Sequence, residues 1–334
     1  MKRDGFSCAL FFVCMLASCS GDDAEGGASG MSGGEGGASG ASGEDAGDDA
    51  GGTGGDAGTV ADAGELDSGA GTTGMFTRDP VIPEPMGECP EFATGKQTIL
   101  DMDTDMLVGE IGAVKGPLLF DWHGTGGNGT QGLAQLPQSV KDDIVARGGI
   151  IIAPNDNETM RAGQDVTFIL SVWYDGADLD YADHLVACAV RDHNIDPRQI
   201  YVTGCSAGGL MTGVMALTRS GYVAAAAPNS GGVAQPTWML GEPDHAPPVL
   251  AMHGGTNDNV VVNFGDTSRA LGDQLIEAGG FYVECNHMVG HCQAPVELYE
   301  KAWDFMKAHP FGLEPEPFAA GLPSDYPSYC QIYE

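Results

Sequence analysis

The sequence predicts an α/β domain in which a mostly parallel sheet carries helices on both faces. Short apolar runs of strand length alternate with longer stretches of helical spacing between residues 116 and 308. Such alternation is typical of parallel strands joined by helical crossovers. In addition, the run at 199–204 leads directly into the turn Gly-Cys-Ser-Ala-Gly, and a helical stretch follows that turn.

Six apolar runs predict the strands of this sheet, and five periodic segments predict helices. The strands are 116–122, 149–154, 199–204, 222–228, 248–254 and 281–285. The helices are 138–149, 178–193, 207–219, 266–278 and 296–308. In the helix at 178–193, apolar residues recur on one face, as expected for a helix packed against a sheet.

The N-terminus has the pattern of an export signal. Two basic residues precede an apolar core that is shorter than the roughly 20 residues a transmembrane helix needs. We therefore expect 1–18 to be a signal peptide. The core ends in LASC (16–19), which resembles the lipobox of bacterial lipoproteins, and this resemblance implies cleavage before Cys19 and lipidation of that cysteine. The alternative is an ordinary signal peptide cut near the same place, and either would permit disulfides.

Residues 19–77 differ in composition from the rest of the chain. They are rich in glycine and acidic residues, repeat GGASG, and contain few large apolar side chains. Such a segment cannot bury enough apolar surface to offset its ordering entropy, which predicts a disordered tether that holds the domain away from a membrane.

Residues 78–334 are long enough for one domain with a substantial core. The whole chain has a formal net charge of −33, and the acidic excess persists within 78–334. This excess argues against nucleic acid as a partner and against adsorption to anionic surfaces. Six cysteines remain in this segment, which allows up to three disulfides: Cys89, Cys188, Cys205, Cys285, Cys292 and Cys330.

The turn at 204–208 fits the G-x-S-x-G pattern of a serine nucleophile, with Ser206 as the serine. In a strand–turn–helix unit of this kind, the flanking glycines fit a bend in which bulkier residues would clash. A serine hydroxyl needs a base, and the base needs an acid that orients it. On the α/β-hydrolase fold, which this unit predicts, the acid and the base follow the serine in that order.

Asp258 is the predicted acid, because it lies in a loop at the carboxyl end of the strand 248–254, where sites of α/β proteins collect. Asp244 and Asp266 are rivals that do not follow a strand end. His287 and His291 both follow the last strand, so position alone does not choose the base. The other histidines considered, at 123, 245 and 253, have structural or solvated positions available.

Cysteines flank the candidate residues, with Cys205 directly before Ser206 and Cys292 directly after His291. This placement resembles the CS-D-HC arrangement of the tannase and feruloyl esterase family. The resemblance implies a triad of Ser206, Asp258 and His291, and a disulfide between Cys205 and Cys292 that braces the site. The alternative for Cys205 is a buried free thiol.

Backbone N–H groups are expected to stabilise the oxyanion, because they are fixed in place before the reaction. Ala207 follows the nucleophile and is the first candidate. Thr125 is the second, in the loop WHGTGGNG, which resembles the HG-x-G oxyanion loop of esterases and lipases.

Residues 116–305 resemble secreted polyhydroxybutyrate depolymerases and small feruloyl and acetylxylan esterases. The similar pieces are WHGTGG, DPRQIYVTGCSAGGLMT, APNSGG and HGGTNDNVV. Tannase-type enzymes insert a large lid between the strands on either side of 228–247, where this chain has only about 20 residues, so we expect no large lid, an open pocket, and no lid-borne calcium site.

Three other features have simpler interpretations. The segment DMDTDM (101–106) lacks the glycine of a calcium loop and predicts solvated aspartates. Trp122, Trp173 and Trp238 either line an aromatic pocket or pack in the core. For the four remaining cysteines, one possible pairing is Cys188–Cys285 with Cys89–Cys330.

Together these features predict a serine carboxylic-ester hydrolase that forms an acyl-enzyme and needs no metal or organic cofactor. Its expected substrates are polymer-attached or bulky esters, either a polyhydroxybutyrate-like polyester or feruloyl and acetyl polysaccharide esters. The alternatives are a serine peptidase and a catalytically silent surface-displayed binding protein. The sequence leaves the acyl and alcohol specificity and the oligomeric state open.

Overall fold

A computed structural model describes residues 74–155, 176–234 and 238–334. All of these residues belong to one compact unit, Glu65–Glu334. The predicted signal peptide, the lipidation candidate Cys19, nearly all of the predicted tether and Trp173 lie outside the described residues, so these predictions stay as they are.

The unit is built on a nine-stranded sheet. Its strands are β2 (Gly95–Ile99), β3 (Met102–Val108), β4 (Gly116–Trp122), β5 (Ile150–Pro154), β6 (Ile195–Cys205), β7 (Ala225–Asn229), β8 (Val249–His253), β9 (Tyr282–Asn286) and β11 (Cys330–Ile332). They lie in the order β11-β9-β8-β7-β6-β4-β5-β3-β2. Two short strands, β1 (Met75–Phe76) and β10 (Leu313–Glu314), pair separately.

The six central strands, β4 to β9, run parallel, and the strands toward both edges run antiparallel. Parallel strands are covered on both faces, which is why their sequences are continuous apolar runs. Every residue of β4, β5, β7 and β8 is buried. The prediction of a mostly parallel sheet is therefore confirmed.

Helices pack on both faces of the sheet, as predicted. Those described are α1 (Gly129–Gln135), α2 (Gln138–Ala146), α3 (Ala177–Asp192), α4 (Ala207–Thr218), α5 (Phe264–Glu277) and α6 (Val296–Ala308). Apolar side chains of α3, α4 and α5 pack in one core cluster, and those of α2 and α6 pack in another. Because the central strands run parallel, their carboxyl ends meet at one edge of the sheet, which is where a site is expected.

Several elements were not predicted. The segment 101–106 enters β3, where exposed aspartates alternate with the buried Met102, Thr104 and Met106. Asp101 and Asp103 are exposed, in agreement with solvated aspartates, whereas Asp105 is half-buried and accepts a hydrogen bond from Asn155. Helix α1 lies in a glycine-rich region, and β11 near the C-terminus pairs with β9.

The predicted pairing of the four remaining cysteines is wrong. The structure joins Cys89 to Cys188 and Cys285 to Cys330. Cys285 and Cys330 are directly opposite each other in the antiparallel pair β9–β11, so this bridge depends on a strand that was not predicted. Cys188 lies on α3, one turn after His184, whose Nδ1 accepts a hydrogen bond from the Met86 amide. The segment that carries Cys89 therefore passes over this helix.

The tryptophans described here belong to the core. Trp122 is fully buried and stacks against Phe120, with 5.7 Å between ring centroids. Trp238 is partly buried against the same cluster. The connection from β7 to β8, residues 230–248, is too short for an inserted lid domain. Within the three described ranges, we find no helix with the length and hydrophobicity needed to span a bilayer.

Candidate active site

Ser206 sits at the turn between β6 and α4, at the carboxyl edge of the sheet. Its φ of 59° and ψ of −119° are an unusual conformation for a residue with a side chain. The Ser206 amide donates to the carbonyl of Asn229 at the end of β7, which fixes the turn against the neighbouring strand.

The two flanking glycines allow this turn to pack closely. A Cβ atom at Gly204 would lie 2.5 Å from the Trp122 carbonyl oxygen, and one at Gly208 would overlap that same carbonyl group. Residues with side chains would therefore separate β4 from the turn, which explains the glycine at each position.

The structure brings Ser206, His291 and Asp258 together in one hydrogen-bonded chain. His291 Nε2 is 2.9 Å from Ser206 Oγ, and His291 Nδ1 is 2.6 Å from Asp258 Oδ1. Because the carboxylate can only accept, Nδ1 carries the proton and Nε2 is free to accept from the serine hydroxyl. The geometry is that of a nucleophile, a base and an orienting acid.

Asp258 is fully buried in the loop after β8. Its Oδ2 accepts from Ser230 Oγ at 2.7 Å and from the Gly254 amide at 3.0 Å. Burial by itself would raise the pKa of Asp258, but the hydrogen bonds from His291, Gly254 and Ser230 lower it below its usual value. The carboxylate is therefore held ionised next to the imidazole.

Ser230 is a site residue that the sequence analysis did not identify. Its hydroxyl donates to Asp258 and accepts from the Cys292 amide at 2.8 Å, so it connects the acid to the loop that carries His291. Ser230 has a φ of 45°, and Met288 and Cys292 in the histidine loop have 57° and 55°. Together with the turn at Ser206, the backbone around the site is thus strained in three loops. Strain of this kind is often found at functional sites. The only sequence signal was the piece APNSGG.

The rival acids and bases lie elsewhere or have other roles. Asp244 and Asp266 are exposed. His287 Nδ1 accepts from the Val289 amide. His253 is fully buried, hydrogen-bonds to Glu284, and accepts from the Gly255 amide, which holds the turn that leads to Asp258.

A disulfide joins Cys205 to Cys292, with their Cα atoms 5.8 Å apart. It links the residue before Ser206 to the residue after His291, so the turn and the histidine loop are covalently connected. Phe264 packs against His291 from α5, with 4.6 Å between ring centroids. The imidazole is therefore fixed by a carboxylate, a ring and a covalent brace.

A cavity of about 460 Å³ opens beside Ser206. Its walls include Thr125 in the glycine-rich loop, together with His291 and the disulfide. Gly124 passes close to Ser206, since a Cβ atom at Gly124 would lie 3.2 Å from Ser206 Cβ. Ala207 is buried at the first position of α4. Ala207 thus directly follows the serine, Thr125 lines the same cavity as Ser206, and the oxyanion role of both stays a prediction.

Asp121 is an unexpected buried carboxyl group near this cavity, on β4 two residues before His123. Its Oδ2 accepts no hydrogen bond from the residues that the structure describes. Burial raises the pKa of Asp121 to about 7, and the attraction of Lys141 on α2 opposes this only in part. Tyr299 on α6 also lies within electrostatic range. The carboxyl group is therefore largely protonated below neutral pH.

Replacing Asp121 by asparagine should remove a pH dependence of stability. Because the folded pKa is above the unfolded one, the stabilising contribution of the native carboxyl is fully present below pH 4 and is lost as the pH rises through 7. We expect the wild type to lose up to about 4 kcal/mol of unfolding free energy from this group between these limits, at about 1.4 kcal/mol per pKa unit. The unfolding free energy of Asp121→Asn should not fall in this way, because its amide does not titrate.

Urea denaturation at pH 5 and pH 8 covers about two of these three pKa units, so the expected difference between the two pH values is about 3 kcal/mol. Asp142→Asn is the matched control, because Asp142 is exposed on α2. Equal pH dependence in the wild type and in Asp121→Asn would show that the buried carboxyl does not titrate in this range.

Comparisons with known proteins identify the fold. No protein-family model matches the chain, and no curated protein matches it. Among solved structures, native sOPH is 17% identical with a TM-score of 0.57, covering 75% of this chain and 97% of that one. Native pOPH is 19% identical with a TM-score of 0.53, covering 73% and 97%. A thermostable esterase is 20% identical with a TM-score of 0.50, covering 66% and 63%. The chain has an α/β-hydrolase fold.

Proposed function

We propose that this protein is a serine carboxylic-ester hydrolase that acts through an acyl-enzyme. The observation that carries the proposal is the hydrogen-bonded chain from Asp258 through His291 to Ser206, at the carboxyl edge of the sheet. A fold alone does not define a function, but a nucleophile, a base and an acid with matching geometry do indicate a reaction class.

In the proposed mechanism, Ser206 Oγ attacks the ester carbonyl while its proton passes to His291 Nε2. His291 then returns that proton to the leaving alcohol, and a water molecule hydrolyses the acyl-enzyme by the same route. Asp258 holds the imidazole in the required tautomer and stabilises the imidazolium that forms. The amides of Ala207 and Thr125 stabilise the oxyanion in this scheme.

The proposed substrates are polymer-attached or bulky esters, either polyhydroxybutyrate-like polyesters or feruloyl and acetyl esters of polysaccharides. The short β7–β8 connection favours an open site, and the sequence pieces quoted above resemble enzymes of these classes. One structure of pOPH, which is 18% identical to this chain, is a complex of a variant with pNPB.

We also propose that the protein is exported and anchored to a membrane through a lipid on Cys19. Three disulfides favour an oxidising compartment, since such bonds are rare in the cytosol. Globomycin treatment of expressing cells, followed by mass analysis of the N-terminus, would test the lipid anchor.

The function is tested by hydrolysis of p-nitrophenyl butyrate, methyl ferulate, an acetylated sugar and a polyhydroxybutyrate film. The wild type should hydrolyse at least one ester class, and Ser206→Ala should be inactive on it. Labelling by a fluorophosphonate should occur in the wild type and be absent in Ser206→Ala. A folded wild type that neither labels nor hydrolyses would favour the binding protein, whereas labelling with cleavage of peptides alone would favour the peptidase.

A further inference from the structure

The cavity beside Ser206 has two walls of different origin. One wall contains His291 and the disulfide from Cys205 to Cys292. The other consists of the glycine-rich loop and helix α1. In the proposed mechanism His291 Nε2 gives its proton to the leaving alcohol, so the alcohol must lie within hydrogen-bond reach of that atom. The cavity that His291 lines is therefore within reach of the alcohol.

Helix α1 presents two glutamines to this cavity. Gln131 and Gln135 are four residues apart, which places them on one face of the helix, and both line the cavity. Both are exposed, and no hydrogen bond joins either side-chain amide to another of the described residues. Their amides are thus available to a ligand.

The position of α1 is fixed by its buried side. The Asn128 side chain accepts from the Gln131 amide as an N-cap, and the Gly129 amide donates to Asn155 after β5. Gly132 packs so closely against β4 that a Cβ atom there would lie 2.9 Å from Asp121 Oδ2. The helix cannot rotate about its axis without losing these contacts, so the glutamine face stays toward the cavity.

The described lining of the cavity combines polar side chains with glycines and a disulfide, and its ionisable side chains are two histidines. In a chain with a formal net charge of −33, none of these lining residues is a carboxylate, a lysine or an arginine. None is a phenylalanine, tyrosine or tryptophan either. A primary amide both donates and accepts hydrogen bonds, as a hydroxyl does, so the two groups are complementary.

We infer that this cavity is a subsite for a neutral, hydroxyl-rich alcohol such as a sugar or polyol, with Gln131 and Gln135 as the residues that bind its hydroxyl groups. This inference rests on the proposed ester hydrolysis and specifies the alcohol half of the substrate. A purely hydrocarbon alcohol would form no hydrogen bonds with these amides and would therefore gain less binding energy.

The test compares two butyrate esters that differ in the hydroxyl groups of the alcohol. These are glucose 6-butyrate and cyclohexylmethyl butyrate, which carry the same acyl group and alcohols of similar shape. The wild type should prefer the glucose ester in kcat/KM. In the double variant Gln131→Leu/Gln135→Leu that preference should fall about tenfold or more, mainly through a higher KM, because two hydrogen bonds are lost.

Gln138→Leu is the matched control, because it makes the same change on α2, where the glutamine side chain bonds to Asp142 and does not line the cavity. It should keep the wild-type preference. Gln131→Glu/Gln135→Glu provides a second variant with polar, exposed side chains, in which the loss of the amide donors should also reduce the preference. Circular dichroism checks that each variant is folded.

The outcomes separate the two proposals. A wild type that hydrolyses p-nitrophenyl butyrate but has no preference for the glucose ester overturns the subsite and leaves the esterase function standing. The same holds if the preference persists in both double variants. A folded wild type that hydrolyses none of the three esters and does not label with a fluorophosphonate contradicts the esterase function itself.

Discussion

Asp258→Asn is expected to lower kcat for ester hydrolysis by roughly 10³–10⁴-fold. The carboxylate accepts three hydrogen bonds, from His291, Ser230 and the Gly254 amide. An asparagine has one accepting oxygen, so its NH₂ group must face at least one of these donors. If it faces His291 Nδ1, the imidazole adopts the other tautomer and Nε2 no longer accepts the serine proton. Steady-state rates on p-nitrophenyl butyrate measure the effect.

Asp266→Asn is the control for this substitution. Asp266 was a rival candidate for the acid, and it is exposed in the first turn of α5, so we expect a rate within about twofold of the wild type, as for most surface substitutions. Thermal unfolding of both variants separates a rate effect from loss of structure. If Asp258→Asn is folded and retains more than a tenth of the wild-type rate, Asp258 is not the acid that orients His291.

The strands that position Ser206 and Asp258 could be predicted because each contains a buried apolar run, Ile200–Val202 in β6 and Val249–Met252 in β8. Such runs occur where both faces of a strand are buried, as in β5 and β8. Strand β3, which lies next to the edge strand β2, was missed because the exposed Asp103 and the half-buried Asp105 alternate with its buried residues. The alternating aspartates of 101–106 resemble the start of a calcium-binding loop. The glycine that such a loop requires is missing, which argued against calcium, but nothing in the pattern indicated a strand.

Helix α1 could not be predicted from its sequence. It is only seven residues long and contains two glycines, which are poor helix formers. It forms because Asn128 caps its first turn and because Gly129 and Gly132 allow close packing on the sheet. The two glutamines of the proposed alcohol subsite could therefore not be recognised as site residues from the sequence.

The three disulfides differ in how far the residues next to each cysteine could predict its partner. Cys205 and Cys292 each adjoin a candidate site residue, so the resemblance to the CS-D-HC arrangement was sufficient to propose their bridge. The partner of Cys285 depends on β11, whose three residues carry no strong strand signal. The partner of Cys188 depends on the path of an irregular N-terminal segment. Ser230 was missed for a similar reason, since its hydroxyl has a role only when three loops are placed together.

The last prediction concerns the disulfide between Cys205 and Cys292. In the double variant Cys205→Ser/Cys292→Ser, we expect the unfolding free energy to fall by about 4–5 kcal/mol, from the chain entropy of a bridge with a sequence separation of 87. We also expect a rate loss of about a hundredfold in the folded protein, because the turn and the histidine loop can then shift by about 1 Å. Rates are measured well below the unfolding temperature.

The bridge between Cys285 and Cys330 provides the matched comparison, because its sequence separation of 45 predicts a loss of stability of similar size, about 4 kcal/mol. This bridge joins β9 to the edge strand β11, whose backbone pairing also holds the two strands in register. Removing it should therefore lower stability while changing the rate by only a few fold. Equal rate losses in the two variants would mean that Cys205–Cys292 acts through general stability, whereas a selective loss would show that it holds Ser206 and His291 in position.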